Sequence, residues 1–99
     1  MFRSPFVWEI QVRREILEDE VAALRELPYS LWRDLLRQPM RKAARGRDNK
    51  PYRVKTLADW ARPDISEDIR VTVALESPMI GRRLMSQSFV ITPENRFHE

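Results

Sequence analysis

Residues 51–77 read PYRVKTLADWARPDISEDIRVTVALES, and this stretch decides the fold. Apolar and polar residues alternate from Tyr52 to Trp60 and again from Ile69 to Glu76. The connection, residues 61–68, contains the Pro, Asp and Ser residues that typically end strands. Because successive side chains of a strand point to opposite faces, a period of two predicts two half-buried strands. We therefore predict an antiparallel pair with one apolar and one solvent-exposed face.

The residues before this stretch allow two interpretations. As a helix, they would form one basic stripe at a spacing of four, made of Arg33, Arg37, Arg41 and Arg45. Pro39 argues against the helix because proline interrupts the hydrogen-bond ladder and disfavours a helical conformation at the preceding residue. Residues 46–51, GRDNKP, are typical of a turn. We predict a β-hairpin, with Met40–Arg45 as the outgoing strand and Tyr52–Trp60 as the returning one.

The N-terminal third is predicted to contain one strand and two helices. Alternation from Phe6 to Arg13 predicts a first strand. From Leu17 to Leu27 apolar residues recur every three or four positions, which predicts an amphipathic helix. We interpret the acidic residues 18–20 as its first turn, where carboxylates face the positive end of the helix dipole. A second, short helix is expected from Ser30, as N-cap, to Leu36.

The C-terminal residues complete the sheet. Residues 78–81, PMIG, form a predicted turn, residues 82–88 return irregularly, and Phe89–Thr92 is a short last strand. The fold class is therefore α+β in two layers. We expect a single domain over residues 1–99, with an antiparallel meander of about four to five strands. Two short helices, placed after the first strand, should pack on one face of it.

The composition predicts a soluble, cytoplasmic protein. Hydrophobic residues make up 42% and charged residues 33%, which are globular proportions. The absence of Cys excludes disulfides and thiolate metal sites. The first residues lack the apolar core of a signal peptide, and no apolar run approaches the ~18 residues of a membrane span.

Most constellations that enzymes use are missing. The one histidine, His98, lies next to the last residue, where order is least expected. Without Cys, neither a nucleophile–imidazole pair nor a transition-metal cage can be assembled convincingly. No Walker loop, G-x-G-x-x-G or G-x-S-x-G motif occurs. We predict no catalytic residues, no metal site, no cofactor, and a protein that is not an enzyme.

The segment from Arg33 to Lys55 is strongly basic. It holds nine basic and two acidic residues, a net charge of +7, while the remaining residues sum to −4. Such a patch can neutralise phosphates, but the aromatic residues that would stack on bases share the apolar side. A charge run is also commonly just a solvated surface. The candidate nucleic-acid or anion contacts are Arg41, Arg45, Arg47, Lys50, Arg53 and Lys55.

Met79 and Ile80 are apolar residues at a predicted hairpin tip, where polar residues are usual. Exposed apolar groups beside arginines are typical of a protein interface, although the tip can also fold back and bury them. Sheet edges add a route through strand addition or a symmetric dimer. We therefore predict a non-enzymatic protein-interaction or self-associating module that contacts a protein partner or a second copy. The alternative is a nucleic-acid-binding protein that uses segment 33–55; no membrane is involved.

Overall fold

The computed structural model describes residues 5–98, with side chains described from Trp8 onward. Two helices precede one antiparallel five-stranded sheet, whose strands follow one another in chain order. The elements are α1 (Pro5–Leu24), α2 (Tyr29–Asp34), β1 (Met40–Arg45), β2 (Pro51–Trp60), β3 (Ile69–Glu76), β4 (Arg83–Ile91) and β5 (Phe97–His98). Both helices pack on the same apolar face of the sheet. The α+β class and the antiparallel meander are confirmed.

The alternation in residues 51–77 produces the centre of the sheet as predicted. β2 and β3 pair antiparallel, with Val54 opposite Leu75 and Thr56 opposite Val73. These four side chains are buried against the helices. Burial of this apolar surface supplies most of the force that holds the helical layer on the sheet.

The β-hairpin interpretation of residues 40–60 is confirmed, and the helical alternative is wrong. β1 pairs antiparallel with β2 along its whole length, from Met40 opposite Thr56 to Arg45 opposite Pro51. The intervening turn closes through the Gly46 amide, which donates to the Lys50 carbonyl at 3.1 Å. Asn49 takes the positive φ, 64°, that this turn requires.

The predicted first strand, Phe6–Arg13, is wrong, because these residues belong to α1. Trp8, Val12 and Ile16 are spaced by four residues, and this stripe continues in register into the apolar residues after Leu17. Over eight residues a helical stripe and a strand alternation share members; over twenty residues only the helix buries them all on one side. The helices therefore precede the first strand.

The acidic residues 18–20 do not lie in a first turn. Since α1 begins at Pro5, they fall in its C-terminal half, and its first turn contains no acidic residue. The dipole explanation for them is therefore wrong. Glu20 instead pairs with Lys42 of β1 at 2.7 Å, while Glu18 and Asp19 are exposed.

β4 is one continuous strand where an irregular segment and a short strand were predicted. The register shifts between Leu75 and Glu76, which oppose Met85 and Arg83, so Leu84 is the extra residue of a bulge. This bulge breaks the sequence alternation without ending the strand. The second helix, α2, begins and ends two residues earlier than predicted, because Pro28 rather than Ser30 occupies its N-cap position.

Candidate functional site

The face of the sheet opposite the helices is not covered by any element of residues 5–98; we call it the open face. Alternation along the strands places polar and charged side chains there, opposite to the buried set. Arg41 lies beside Lys55 across β1 and β2, and Asp59 lies beside Arg70 across β2 and β3. Its members include Arg41, Arg45, Arg53, Lys55, Leu57, Asp59, Arg70, Thr72, Ala74, Glu76, Ser86 and Ser88.

The open face carries more positive than negative charge. Asp59 is paired with Arg37 at 3.2 Å, and the Trp60 amide together with this guanidinium lowers the pKa of the Asp59 carboxyl. Glu76 lies opposite Arg53 without forming an ion pair. Four cations of this face have no ion-pair partner in the part of the chain that the structure describes, namely Arg41, Arg53, Lys55 and Arg70.

The six predicted anion contacts are not all on this face. Arg41, Arg45, Arg53 and Lys55 lie on it, as the hairpin prediction implies. Arg45 is partly committed, because its Nη1 donates to the Asn49 carbonyl of the adjacent turn at 2.8 Å. Arg47 and Lys50 lie elsewhere.

Arg47 and Lys50 bind acidic residues of α1. Arg47 donates from Nε and Nη2 to the two carboxylate oxygens of Glu15, at 2.7 and 2.9 Å. Its guanidinium also lies 4.2 Å from the centre of the Trp8 ring. Lys50 donates to Glu9 at 2.8 Å; this contact lowers the pKa of Glu9 and raises that of Lys50. These two cations fasten the helix to the hairpin.

The β3–β4 tip exposes its apolar residues. Met79 is 92% exposed and Ile80 is 75% exposed, so the tip does not fold back over them. The turn is closed by the Ser77 amide, which donates to Arg82, and by the Gly81 amide, which donates to Ser77, both at 2.9 Å. The apolar pair therefore projects from an ordered turn.

The two edges of the sheet differ in charge. β1, at one edge, has three basic residues among six, a pattern that discourages the addition of another strand. At the other edge, within residues 5–98, β5 pairs with β4 at Val90 and Ile91 alone. In this part of the chain, residues 84–89 of β4 therefore have no outer strand partner, and none of these residues is charged. We call residues 84–89 the free edge.

Sequence reasoning did not identify the free edge, although a signal for it exists. Residues 84–93, LMSQSFVITP, form ten consecutive uncharged positions in a chain that is 33% charged. Such a run can equally be a buried central strand, and only the pairing with a two-residue β5 shows that it lies at an edge.

A groove of about 390 Å³ runs between the free edge and α1. Its helical wall is one stripe at spacings of three and four, and its lining residues are Glu18, Val21, Ala22, Arg25, Gln87 and Ser88. The Arg25 guanidinium lies 5.5 Å from the Phe89 ring and 5.7 Å from the Phe97 ring. Arg25 thus closes the groove at its β5 end.

A second cavity, of about 630 Å³, lies at the opposite end of the sheet between α2 and the β2–β3 connection. Arg33 lies over the Trp60 ring at 4.7 Å and 3.9 Å from Glu67, and Arg37 is paired with Asp59. Its two cations therefore already have anionic or aromatic partners within the chain.

Comparisons with protein-family models, with curated proteins and with solved structures found no match. Across residues 5–98, no helix has both the length and the apolar character that a membrane span requires. The same residues contain no cluster of three or more His, Asp or Glu side chains placed to hold a metal ion. That the chain is not an enzyme stays a prediction.

Proposed function

We propose that this protein is a protein-interaction module that contacts its partner through the β3–β4 tip and the neighbouring free edge. The observation that carries the proposal is the exposure of Met79 and Ile80 on an ordered turn beside an uncharged edge. Burying such a side chain gains about 1.5–3 kcal/mol, which favours a partner that covers it. Met and Arg are enriched in interfaces, and Arg82 and Arg83 follow the pair in sequence after Gly81.

The test compares the wild-type chain with the Met79→Ser/Ile80→Ser double variant as baits in extract of the cells that produce the protein. The matched control is Ile65→Ser, since Ile65 is 79% exposed but lies at the opposite end of the strands. We expect quantitative mass spectrometry to show a partner that the control retains and the tip variant loses. An unchanged set of partners with the tip variant would rule out the tip.

Self-association is measured separately by sedimentation equilibrium. A mass that rises with concentration, and does so less in the Met79→Ser/Ile80→Ser variant, identifies a second copy as an occupant of the tip. A constant monomer mass up to high concentration removes the second copy and leaves a different protein as the partner.

A second candidate function, nucleic-acid binding, is favoured by the unpaired cations of the open face. Phosphates are the natural counter-charge for Arg41, Arg53, Lys55 and Arg70, and such binding must weaken as salt rises. The test titrates generic duplex DNA and single-stranded RNA against the chain at increasing salt. We expect Arg53→Glu/Lys55→Glu to abolish binding, while Arg62→Glu/Arg96→Glu, an equal charge change on exposed loops, should retain it. Absence of binding at low salt removes this candidate.

A further inference from the structure

The backbone of the free edge offers unused hydrogen-bonding groups. The Thr92 amide donates outward, to the Arg96 carbonyl beyond β4, at 2.8 Å. In an antiparallel sheet the amide and carbonyl of every second residue point to the same side of the strand. The outward-facing groups of β4 are therefore those of Val90, Ser88 and Ser86. β5 lies beside Val90, whereas no strand of the described residues 5–98 lies beside Ser88 or Ser86.

The groove next to the free edge provides space for side chains. A strand laid along residues 84–89 would direct alternate side chains into the groove, over Gln87 and against Val21 and Ala22 of α1. A sheet edge beside a helix that leaves such a groove is the arrangement in which domains bind extended peptides by strand addition. Backbone contacts then supply affinity, and the groove selects side chains.

The free edge of a second copy cannot pair with this edge about a twofold axis. A twofold axis through Gln87 would pair Ser86 of each copy with Ser88 of the other. In that register, residues 84 and 83 of the second copy would lie opposite Val90 and Ile91. Those positions are already filled by Phe97 and His98. Twofold registers shifted toward the N-terminus of β4 move the β3–β4 tip into the same space, and registers shifted toward its C-terminus place more of β4 itself there. A separate extended segment has no such tip and can end at Phe89.

The charge of the groove indicates which side chain it accepts. Of its two charged residues, Arg25 lies against the rings of Phe89 and Phe97. Glu18 is exposed and forms no ion pair within residues 5–98. A Lys or Arg side chain entering from an added strand would complement this carboxylate.

We propose that an extended segment of a different polypeptide adds to the free edge as a sixth strand and places a Lys or Arg side chain beside Glu18. The proposal rests on the proposed function and specifies the form of its partner. The ladder spans six residues, about 20 Å at ~3.3 Å per residue, between β5 and the bulge at Leu84.

The probe is a library of random dodecapeptides displayed on phage and selected against the full chain. We expect enriched peptides to carry a basic residue within an uncharged, β-branched context. In fluorescence polarisation, Glu18→Lys should weaken their binding at least about tenfold, because it replaces an attraction by a like-charge contact. Asp19→Lys, the same charge change one residue away and outside the groove, should change binding less than about twofold.

Two further measurements report the strand itself. Ser86→Pro removes an outward-facing amide without touching the β3 ladder and should weaken the selected peptides at least about tenfold, whereas Ser86→Thr should not. In amide hydrogen exchange of the wild-type chain, saturating peptide should slow exchange at Ser86 and Ser88 at least about tenfold. The Gln87 amide, which faces β3, should change little. This readout does not depend on any variant folding.

Failure to enrich peptides, or enriched peptides that leave the Ser86 and Ser88 amides unprotected, overturns strand addition. Neither result affects the tip contact of the proposed function, which stands or falls on whether the Met79→Ser/Ile80→Ser bait loses its partner. Loss of that partner together with unprotected edge amides would locate the interaction at the tip alone.

Discussion

At the scale of the residue, the two glycines are required for different physical reasons. Gly46 is buried in the β1–β2 turn, and a Cβ added there would lie 2.7 Å from the Val12 side chain and closer still to the Asp48 carboxylate. Gly81 has open space around it but adopts φ +63°, which side-chain-bearing residues rarely take. One glycine allows close packing against α1, and the other allows a turn.

We expect Gly46→Ala to lower the free energy of unfolding by about 1–3 kcal/mol, because an extra methyl group must displace Val12 or the turn. Urea denaturation measures the change. Gly46→Asn should lower the free energy of unfolding at least as much as Gly46→Ala, because the added side-chain volume causes the loss. A Gly46→Ala protein as stable as the wild type would contradict the close approach of α1.

Gly81 provides the contrasting case. Gly81→Ala should cost about 1 kcal/mol through its positive φ, and Gly81→Asn should cost less, because asparagine tolerates the left-handed region. Equal losses for both variants, measured by the same denaturation, would show that conformation is not the cause.

At the scale of the element, α1 is joined to the β1–β2 hairpin by three ion pairs. They are Glu9 with Lys50, Glu15 with Arg47, and Glu20 with Lys42. Exposed pairs of this kind each contribute little, but the Arg47 contact is bidentate and stacked on Trp8. The pairs therefore select which face of the helix meets the hairpin, while the buried apolar stripe supplies the stability.

A double-mutant cycle on Glu15→Gln and Arg47→Met should give a coupling free energy of about 0.5–1 kcal/mol, falling as salt is raised. Denaturant unfolding of the four proteins measures it. The pair Arg37–Asp59, whose side chains are more exposed, should show a smaller coupling in the same experiment. Equal couplings would mean that the stacking of Arg47 on Trp8 adds nothing.

At the scale of the whole molecule, the cations of the basic segment 33–55 lie on different surfaces of the fold. Acidic residues of α1 neutralise the cations on its side of the hairpin, and the remaining cations lie together on the open face. Only the tertiary arrangement makes this division, because neighbours in sequence such as Arg45 and Arg47 belong to different surfaces.

The stability of the molecule should fall at both ends of the pH range. The hydrogen bond that Lys50 donates is the main reason why the pKa of Glu9 lies below its ordinary 4.5. The ionised Glu9 therefore contributes to the free energy of unfolding above pH 4.5, and this stabilisation is lost as pH falls through the lowered pKa. Burial and the hydrogen bond to Asp48 raise the pKa of Tyr52 above 10.0. The neutral Tyr52 therefore contributes to the free energy of unfolding below pH 10.0, and this stabilisation is lost as pH rises through the raised pKa.

Denaturant unfolding between pH 3 and pH 11 measures both the acid limb and the alkaline limb of the curve of unfolding free energy against pH. Lys50→Met should make the acid limb shallower, because Glu9 then loses the partner that lowers its pKa. Tyr52→Phe should make the alkaline limb shallower for the corresponding reason. A Lys50→Met protein with an unchanged acid limb would show that other carboxylates, such as Asp48 and Asp59, dominate it.

Local pattern was sufficient for the hairpins of this protein. Period-two alternation, Pro39, and the turn residues around Gly46 specify β1, β2 and β3 with nearly their observed bounds, because each signal acts over a few residues. The same reasoning failed for residues 6–13, because a stretch of eight residues can fit both the two-residue period of a strand and the 3.6-residue period of a helix. It also failed for residues 18–20, whose role depends on where the helix begins.

What only the tertiary structure decided is which side chains share a surface. Arg41 and Lys55 lie side by side because β1 pairs with β2. Arg47 lies on a different surface, where it binds Glu15, 32 residues away in sequence. The free edge exists because, in the part of the chain that the structure describes, β5 pairs with β4 at Val90 and Ile91 alone. Strand and turn preferences are local properties that a sequence contains in itself. Surfaces and edges depend on contacts between distant residues, and those exist only once the chain has folded.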